Sequence, residues 1–360
     1  MQNVLIAGAG KIGTLIAFLL ANSNDYHVYL ADIQHSAFQR AHSPAKNFDL
    51  IELDLKDKTA VEIFLKKNPV TSVISALPYF LNIELAKMAK QFNLNYFDLT
   101  EDTHAAKTIL ELSKDSTNAF VPQCGLAPGF ISIVANNLMK NFSALDVVKM
   151  RVGALPINIS NALQYSLTWS TDGLINEYGN KCNAIEDGKE VMVFPLDDLE
   201  EIKIDGLTYE AFNTSGGIGS LADTYHGKVK SLSYKTIRYP GHCSKIRFLM
   251  NDLKLNADRD TLKKILENAL PQTTQDEVLV YVSVTGTQNN TLMEESYVKK
   301  FYPKKINDLQ WSAIQLTTAS SLCAIFDIVM SDIKKYHGMI RQEQFPLDAL
   351  LNNRFGKYYM

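Results

Sequence analysis

The stretch Val4-Leu5-Ile6-Ala7-Gly8-Ala9-Gly10-Lys11-Ile12-Gly13 decides the fold. An apolar run typical of a buried strand leads into the spacing Gly-x-Gly-x-x-Gly, and the amphipathic pattern of a helix follows. Gly8 permits a tight turn, Gly10 lets backbone amides approach a diphosphate, and Gly13 lets the helix lie close to the strand. The helix N-terminus adds partial positive charge. The stretch predicts a dinucleotide site formed by Gly8, Gly10, Lys11, Ile12 and Gly13, and the alternative is a structural glycine turn.

The acidic residue that ends the second strand-like run bears on the choice between the two nicotinamide dinucleotides. Asp32 lies 19 residues after Gly13, where a carboxylate accepts both ribose hydroxyls and repels a 2′-phosphate. Ile33 and Gln34 follow it directly, and neither is basic. We therefore expect NAD as the cofactor, with NADP possible. The alternative for Asp32 is a solvated aspartate.

Two further segments are expected beside the cofactor. Asp54 follows the third strand-like run and is predicted to reach the adenine, although a plain surface aspartate fits the same position. Ala76, Leu77 and Pro78 end the fourth run at the carboxyl edge of the predicted sheet, where ligands bind in such folds.

The first 125 residues alternate short apolar runs with helical patterns, which predicts a parallel sheet with right-handed crossovers. The strand-like runs are 4–7, 27–30, 49–53, 72–75, 96–98 and 119–121. After Gln123 the pattern changes to a helix at 131–139 and period-two runs at 147–153, 161–168, 231–239 and 278–284. A long apolar helix at 311–333 must be buried between layers or between subunits.

We therefore predict an α/β chain with an N-terminal Rossmann dinucleotide-binding domain at residues 1–125. A mixed α+β domain at residues 126–308 is expected to bind the substrate and to form a dimer. Residues 309–360 are expected to return to the first domain, with the long helix contributing to a homodimer interface.

The composition of the 360 residues excludes several other classes. Hydrophobic residues make up 46% and the net charge is −3, with basic residues scattered, so nucleic acid is not an expected partner. No apolar run is expected to reach the roughly 20 residues that cross a bilayer, and the strand beginning near Asn3 leaves no room for a leader. The four cysteines have no metal-ligand or disulfide spacing. We expect a cytoplasmic protein with reduced thiols and no metal.

Several motifs in the second half resemble the saccharopine dehydrogenase and lysine 6-dehydrogenase family. They are Gly-Leu-Ala-Pro-Gly at 125–129, Tyr-Glu-Ala-Phe-Asn-Thr-Ser-Gly-Gly at 209–217 and Tyr-Lys-Thr-Ile-Arg-Tyr-Pro-Gly-His at 234–242. The segments 338–343 and 354–359 are similar to the ending of bacterial members. The resemblance spans nearly the whole chain, and its most specific block is 236–242.

This resemblance implies oxidation of a carbon next to nitrogen on a lysine side chain. Hydride leaves the ε-carbon, and the iminium is hydrolysed to aminoadipate semialdehyde with release of ammonia or glutamate. Ala127 stands where eukaryotic saccharopine reductases have aspartate in a Gly-Leu-Asp-Pro-Gly motif. The alanine is more similar to lysine 6-dehydrogenase and puts saccharopine as the substrate in doubt.

Such a reaction needs a proton acceptor, because hydride leaves carbon only when the neighbouring nitrogen is neutral. The polar candidates are Asp98, Glu101, Asp102, Tyr165, Lys235, Tyr239 and His242. His242 and Asp98 lead as catalytic residues, since histidine titrates near neutrality and Asp98 ends a strand at the expected active edge. The alternatives are a structural histidine beside a glycine turn, and an Asp98 that caps the following helix through Thr100 and Glu101.

Arg238 is predicted to bind the substrate carboxylate, because its guanidinium forms bidentate pairs with carboxylates. The alternative is a strand arginine that faces solvent. The other predicted substrate contacts are Tyr239, Asn213, Thr214, Ser215 and Tyr165. The segment 213–215 also fits an ordinary turn, and Tyr165 with Trp169 also fits the core. Cys124 is expected to be a buried, inert thiol.

Two other functions stay open at this point. One is a polyamine synthase that uses NAD as a transient hydride carrier, and the other is a non-catalytic, NAD-responsive regulator. The chain has neither a Walker-type phosphate loop nor a Gly-x-Ser-x-Gly elbow, which disfavours phosphoryl and acyl transfer. The expected partner is a small amino-acid substrate.

Overall fold

A computed structural model describes residues 1–40 and 47–360 of the chain. Two compact units are found, one formed by Met1–Gly125 with Thr317–Met360 and the other by Leu126–Leu316. Residues 309–316, which were expected to belong with the C-terminal return, lie in the second unit. Asp276 explains this placement, since its carboxylate accepts the backbone N–H groups of Ala313 and Ile314 at 2.6 and 3.0 Å.

The strands and helices follow one another closely along the chain. The strands are β1 (Gln2–Ala7), β2 (Tyr26–Asp32), β3 (Phe48–Glu52), β4 (Ser72–Ser75), β5 (Asn95–Asp98), β6 (Ala119–Val121), β7 (Ala144–Pro156), β8 (Cys182–Glu186), β9 (Lys189–Val193), β10 (Glu200–Ile204), β11 (Leu207–Asn213), β12 (Val229–Arg238), β13 (Asp276–Gln288), β14 (Thr291–Phe301), β15 (Lys304–Ile306), β16 (Leu309–Trp311) and β17 (Gly338–Met339). The helices are α1 (Lys11–Ala21), α2 (Lys58–Lys67), α3 (Asn82–Gln91), α4 (Thr103–Ser113), α5 (Phe130–Met139), α6 (Thr171–Gly179), α7 (Leu221–Tyr225), α8 (His242–Arg247), α9 (Arg259–Ala269), α10 (Ala313–Ser331) and α11 (Leu347–Asn352).

The first unit is built on a parallel sheet with the strand order β17-β6-β5-β4-β1-β2-β3. The six predicted strand-like runs coincide with β1 to β6 and are confirmed. Val4, Leu5 and Ile6 are buried on both faces of β1, as expected for a central parallel strand covered by helices. The strand order reverses between β1 and β4, so a ligand crevice is expected at their carboxyl ends.

The second unit is built on a mixed sheet with the order β10-β11-β12-β7-β13-β14, to which β8 and β9 are attached. The strands β12 and β7 run parallel, and the other neighbours run antiparallel. The predicted strand at 161–168 is wrong, because this segment is a loop with a single bridge between Leu167 and Gln272. The side chain of Asn161 donates to the Tyr165 carbonyl at 2.7 Å and forms a turn there. The alternating pattern arose because Tyr165 and Leu167 are both buried in a core cluster without strand pairing.

Helix α10 corresponds to the apolar helix predicted at 311–333. Within the described part of the chain it alone is long and apolar enough to cross a membrane by length and composition, so the expectation of no such run was wrong. However, 83% of its apolar window is buried inside the protein, and the ring of Phe326 packs 4.9 Å from that of Phe97 and 5.1 Å from that of Tyr26. Residues 319–327 are all buried by the same chain, so this stretch offers no exposed apolar face for the dimer contact expected of it.

Candidate functional site

The glycine loop joins β1 to α1 at the point where the strand order reverses. Gly8 has a φ of +102°, and a Cβ atom there would lie 2.9 Å from the carbonyl oxygen of Ala76. A Cβ atom on Gly13 would lie 1.9 Å from the carbonyl oxygen of Gly8. A Cβ atom on Gly10 would meet nothing within 4 Å. Gly8 and Gly13 therefore fix the shape of the loop, while the space beside Gly10 is open to a ligand.

Helix α1 begins at Lys11 without a side-chain cap. Gly10 is the N-cap residue and has no side chain to accept a backbone hydrogen bond, and the first turn contains no acidic residue. Lys11, Ile12 and Gly13 form that first turn. Because the first turn itself carries no acidic side chain, its positive dipole end suits an anion such as a diphosphate.

Asp32 is held against the glycine loop. Its Oδ2 accepts the backbone N–H of Ala9 at 2.7 Å, and its Oδ1 accepts the backbone N–H of Gln34 at 3.0 Å. The carboxylate is therefore fixed beside the loop by two backbone donors. Each carboxylate oxygen has a second lone pair that can accept a hydroxyl group of a ribose.

The other two predicted cofactor segments differ from each other. The N–H of Ala76 donates to the Ala7 carbonyl at 2.8 Å, and the side chain of Leu77 approaches Gly8, so the segment 76–78 lies against the loop. Pro78 caps the short 3-10 helix that follows. Asp54, in contrast, accepts the Lys56 N–H at 2.9 Å within the turn after β3. This contact favours the alternative, a plain surface aspartate, which here lies in a turn.

Asp98 lies at the end of β5 and is completely buried. Its carboxylate accepts the Tyr96 hydroxyl at 2.8 Å and the backbone N–H groups of Thr100 and Gln123 at 3.0 and 2.9 Å. Burial raises the pKa of Asp98 to about 6, against the effect of these hydrogen bonds. The helix α4 is capped by Asp102 instead, which accepts the Ala105 N–H at 2.8 Å. The three donors favour a role for Asp98 in holding the Gln123 segment, and a catalytic role stays a prediction.

Arg238 lies at the end of β12 and is only 2% exposed, so the alternative of a solvent-facing arginine is wrong. Its Nε donates to the Tyr178 hydroxyl at 2.8 Å and its Nη1 donates to the Ile237 carbonyl at 2.8 Å. The guanidinium carbon lies 5.0 Å from the centre of the Tyr165 ring. Burial opposes its charge, but Tyr178, Tyr165 and Glu177 raise the pKa of Arg238, so it stays a cation.

His242 begins α8 and is buried, as expected for the structural alternative. Its Nδ1 lies 2.7 Å from the Leu163 carbonyl oxygen, and its Nε2 lies 3.0 Å from the Tyr178 hydroxyl. Burial, followed by the charge of Arg238, lowers the pKa of His242 to about 3. Both ring nitrogens are therefore engaged and the ring is neutral near pH 7, which suits a positioning role better than proton transfer.

Two predicted tyrosines are engaged inside the second unit. The hydroxyl of Tyr239 donates to the Pro156 carbonyl at 3.0 Å, and its ring lies 5.9 Å from that of Tyr209. The hydroxyl of Tyr165 accepts the indole N–H of Trp169 at 3.1 Å. Tyr165 covers one face of Arg238, so it contributes to the Arg238 site even though it also belongs to the core.

The loop 213–215 contains one side chain with unused hydrogen-bonding capacity. Ser215 Oγ donates to the Asn176 carbonyl at 3.2 Å, and Asn213 Nδ2 donates to the Phe194 carbonyl at 3.4 Å. The Oγ1 of Thr214 is buried and has no hydrogen-bond partner among the described residues. A buried hydroxyl without a partner is costly, so Thr214 is the member of this loop best suited to meet a ligand.

Cys124 is buried, and burial raises the pKa of its thiol well above the usual value. Its Sγ lies 2.9 Å from the Val121 carbonyl. The expected inert thiol agrees with these contacts.

Tyr178 and Glu177 lie at the Arg238 site but were not identified from the sequence. Both belong to α6, whose N-cap Ser170 accepts the Gly173 N–H at 3.2 Å. The serine followed by Leu174, Ile175 and Tyr178 at helical spacing is a start signal that predicts the helix. This signal would have predicted that Tyr178 lies on the apolar face of the helix. It would not have predicted the hydrogen bonds that the Tyr178 hydroxyl forms.

Two family models match this chain and together cover both units. The model described as the saccharopine dehydrogenase NADP binding domain matches residues 4–121. The model described as the saccharopine dehydrogenase C-terminal domain matches residues 125–357. The fold class predicted from the sequence is confirmed by these matches.

This chain is similar in both sequence and structure to L-glutamate-forming saccharopine dehydrogenase from Saccharomyces cerevisiae. The saccharopine dehydrogenase described as NADP(+)-dependent and L-glutamate-forming is 25% identical over 197 residues, which are 52% of this chain and 43% of that protein. The matched segment thus spans less than half of that relative. The structure of apo saccharopine dehydrogenase (L-Glu forming) superposes with a TM-score of 0.78 at 17% identity, over 100% of this chain and 98% of that one. At this identity the superposition shows a shared fold.

Proposed function

Because the chain belongs to the saccharopine dehydrogenase family, we propose that it is a nicotinamide-dependent dehydrogenase acting on the CH–NH group of a lysine-derived amino acid. The substrate is L-lysine or L-saccharopine, and Ala127 in the Gly-Leu-Ala-Pro-Gly segment favours L-lysine. The products are aminoadipate semialdehyde and ammonia, or glutamate in the case of saccharopine.

The observation that carries this proposal is the burial and hydrogen bonding of the Arg238 guanidinium. Its guanidinium is buried, and its Nε and Nη1 are engaged by Tyr178 and by the Ile237 carbonyl. Neither of these two contacts uses its Nη2. A buried guanidinium with a terminal nitrogen outside these contacts is suited to the carboxylate of an amino acid.

The hydroxyl of Thr214 and the carboxylate of Glu177 support recognition of an amino acid. Among the residues that the structure describes, Thr214 Oγ1 has no hydrogen-bond partner, and it can bind a polar substrate group. Glu177 is buried, and its charge acts on Arg238, Tyr165 and Tyr178. An arginine and a glutamate in one buried cluster match the opposite charges of an α-carboxylate and an α-ammonium group.

The first unit supplies residues that fit a dinucleotide. Gly10 and the first turn of α1 would hold the diphosphate, Asp32 would hold the adenosine ribose, and the segment 76–78 would flank the cofactor. When bound, the nicotinamide ring accepts the hydride. The N-terminal domain belongs to an NADP-binding family, yet we propose that NAD is preferred here, because the Asp32 carboxylate is fixed beside the loop and would repel a 2′-phosphate.

The proposal is tested by incubating the purified protein with L-lysine or L-saccharopine and with NAD or NADP, at mildly alkaline pH. We expect nicotinamide reduction with at least one amino acid, faster with NAD, and semialdehyde among the products. No reduction with either amino acid and either cofactor would defeat the assignment. Diamines consumed without net NADH would indicate the polyamine synthase, and tight NAD binding without turnover would indicate the regulator.

We also propose that the protein is a homodimer of the cytoplasm. The four cysteines are buried and unbridged, which supports a reducing compartment. Light scattering at micromolar concentration measures the molar mass and so tests whether the protein is a dimer. A monomeric mass would contradict this proposal. Localisation of a tagged chain decides the compartment, and a membrane or extracellular signal would contradict the cytoplasm.

A further inference from the structure

We infer that Tyr178 and His242 are positioning residues for Arg238, joined to it in a hydrogen-bond chain of fixed direction that ends at the Leu163 carbonyl. The chain holds the guanidinium in one orientation and leaves Nη2 for a carboxylate. His242 takes part as a neutral acceptor and does not transfer a proton in the reaction. The inference rests on the proposed role of Arg238 in binding the substrate.

The direction of the chain follows from which groups can donate. Arginine has no acceptor, so Arg238 Nε–H donates to the Tyr178 oxygen at 2.8 Å. The Tyr178 hydroxyl proton then points to His242 Nε2 at 3.0 Å. Leu163 offers only a carbonyl oxygen, 2.7 Å from Nδ1, so Nδ1 must carry the ring proton. One tautomer of His242 satisfies every contact.

The chain brings together four segments that are distant in the sequence. Arg238 ends β12, His242 begins α8, Tyr178 belongs to α6, and Leu163 lies in the loop after β7. The exposed fractions of Arg238, Tyr178 and His242 are 2% or less. The ring of Phe212 stacks on that of His242 at 13° and 6.4 Å. Packing therefore leaves these side chains little freedom to adopt another orientation.

The groups that face His242 explain why it stays neutral. They are Arg238 from β12, Tyr178 from α6, Tyr165 from the loop after β7 and Lys245 from α8. Two of these groups, Arg238 and Lys245, are cations. The carboxylate of Glu210 on β11 accepts the backbone N–H groups of Gly241 and Cys243, on either side of His242. Burial and the two positive charges lower the pKa of His242 to about 3, although the Leu163 carbonyl acts in the opposite direction. A positive charge on His242 would face Arg238 inside the core.

Substitutions along the chain separate positioning from proton transfer. Tyr178→Phe removes the acceptor for Arg238 and the donor for His242. We expect KM for the amino acid to rise roughly tenfold, with kcat changed less than about twofold and NAD affinity unchanged. The matched control is Tyr302→Phe, since Tyr302 is 49% exposed, and its kinetics should equal those of the wild type. A Tyr178→Phe enzyme with wild-type KM would overturn the inference.

Two substitutions of His242 retain different parts of the ring's hydrogen bonding. Glutamine reaches the Nε2 position and can accept from Tyr178, whereas asparagine matches the Nδ1 position and keeps only the Leu163 contact. We expect KM near the wild-type value for His242→Gln, and the Tyr178→Phe phenotype for His242→Asn. His226→Asn, at an exposed histidine, is the control. If both variants lose kcat by roughly 100-fold or more, as loss of a general base would do, the inference is wrong.

A spectrum of the protein without substrate tests the chain independently of the proposed function. In ¹⁵N-detected NMR, His242 should show the Nδ1–H neutral tautomer from pH 5 to pH 9, and the Arg238 Nε–H signal should shift in Tyr178→Phe. Titration of His242 near neutrality, or an unchanged Arg238 signal, would overturn the inference. If this spectrum is as expected but wild-type enzyme oxidises no amino acid, the proposed function fails and the hydrogen-bond chain stands.

Discussion

The candidate site of the first unit is formed mainly by backbone groups, whereas that of the second unit is formed by side chains. In the first unit, one contiguous turn with Gly8 and Gly13 places backbone groups around an open space, and Asp32 is fixed to that turn by the Ala9 N–H. In the second unit, the site consists of the side chains of Arg238, Tyr178 and others, which come from separate segments. A site made by local backbone tolerates little change in one short stretch, whereas a site made by side chains depends on how the whole unit packs.

The largest effect is expected at the backbone-built site. Gly13→Ala places a Cβ atom 1.9 Å from the Gly8 carbonyl oxygen, so the loop and helix must move apart. We expect a loss of about 3 kcal/mol in the free energy of unfolding. The added Cβ atom would clash with backbone atoms, which cannot move aside as the end of a flexible side chain could. Urea unfolding measures the stability, and NADH fluorescence titration measures the accompanying loss of affinity.

Gly10→Ala is the matched control for this substitution. Its Cβ atom would meet nothing within 4 Å, so the free protein should keep its stability to within about 0.5 kcal/mol. Affinity for NADH should nevertheless fall, because the methyl group occupies the space proposed for the diphosphate. A Gly13→Ala protein that is as stable as the wild type and binds NADH equally well would contradict the account.

The second effect concerns the side-chain site. Arg238→Met should raise KM for the amino acid roughly 100-fold, since a buried charge-assisted pair with a carboxylate is lost. The Kd for NAD should stay unchanged. Arg247→Met serves as the control, because Arg247 pairs with Asp197 at a half-exposed position. Equal losses in KM and NAD affinity would instead point to a folding role for Arg238.

The third effect is a shift in cofactor preference. Asp32→Ser removes the carboxylate but leaves a small polar group, so NAD affinity should fall roughly tenfold, while NADP affinity should improve. Asp54→Ser is the matched comparison, and it should leave both affinities unchanged if Asp54 serves only the turn with Lys56. Fluorescence titrations with NADH and NADPH give both constants. An unchanged ratio in Asp32→Ser would remove Asp32 from the cofactor site.

The smallest expected effect is on the pH dependence of the free energy of unfolding, to which Asp98 and His242 contribute with opposite signs. The pKa of Asp98 is raised to about 6, so its stabilising contribution is present at low pH and is lost as the pH rises through that value. The pKa of His242 is lowered to about 3, so its contribution is present above the unfolded value of about 6.5 and is lost as the pH falls. From pH 6 to pH 5, each should change the free energy of unfolding by about 1 kcal/mol, with opposite signs.

Single variants make these opposite contributions visible. On acidification from pH 6 to pH 5, Asp98→Asn should lose more stability than the wild type, and His242→Gln should lose less. Urea unfolding at each pH measures both. The same pH response in all three proteins would show that neither group has the buried, perturbed environment described above.

The difference between the two sites also explains what the sequence predicts well. The first six strands and the glycine loop follow from periodicity and spacing, because neighbours in the sequence are neighbours in the site. Asp32 was found for the same reason, since one strand separates it from α1. The resemblance identified Arg238, but its hydrogen-bond partner Tyr178 lies on another element, and no sequence spacing encodes that contact.

Two departures from what the local sequence indicates have the same physical origin. The segment 161–168 shows strand-like alternation because Tyr165 and Leu167 are buried by packing, although no neighbouring strand pairs along it. His242 has the residue type of a base, but burial and the nearby cations determine its protonation. In both cases the tertiary surroundings override what the local sequence indicates.

The central claim is that the second unit binds an amino acid through its carboxylate at Arg238. The most direct measurement is calorimetric titration of the NADH-saturated protein with L-lysine and with cadaverine, which lacks only the carboxylate. We predict that L-lysine binds roughly 100-fold more tightly than cadaverine, and that Arg238→Met abolishes this difference. Equal affinities for the two amines in the wild type would contradict the account.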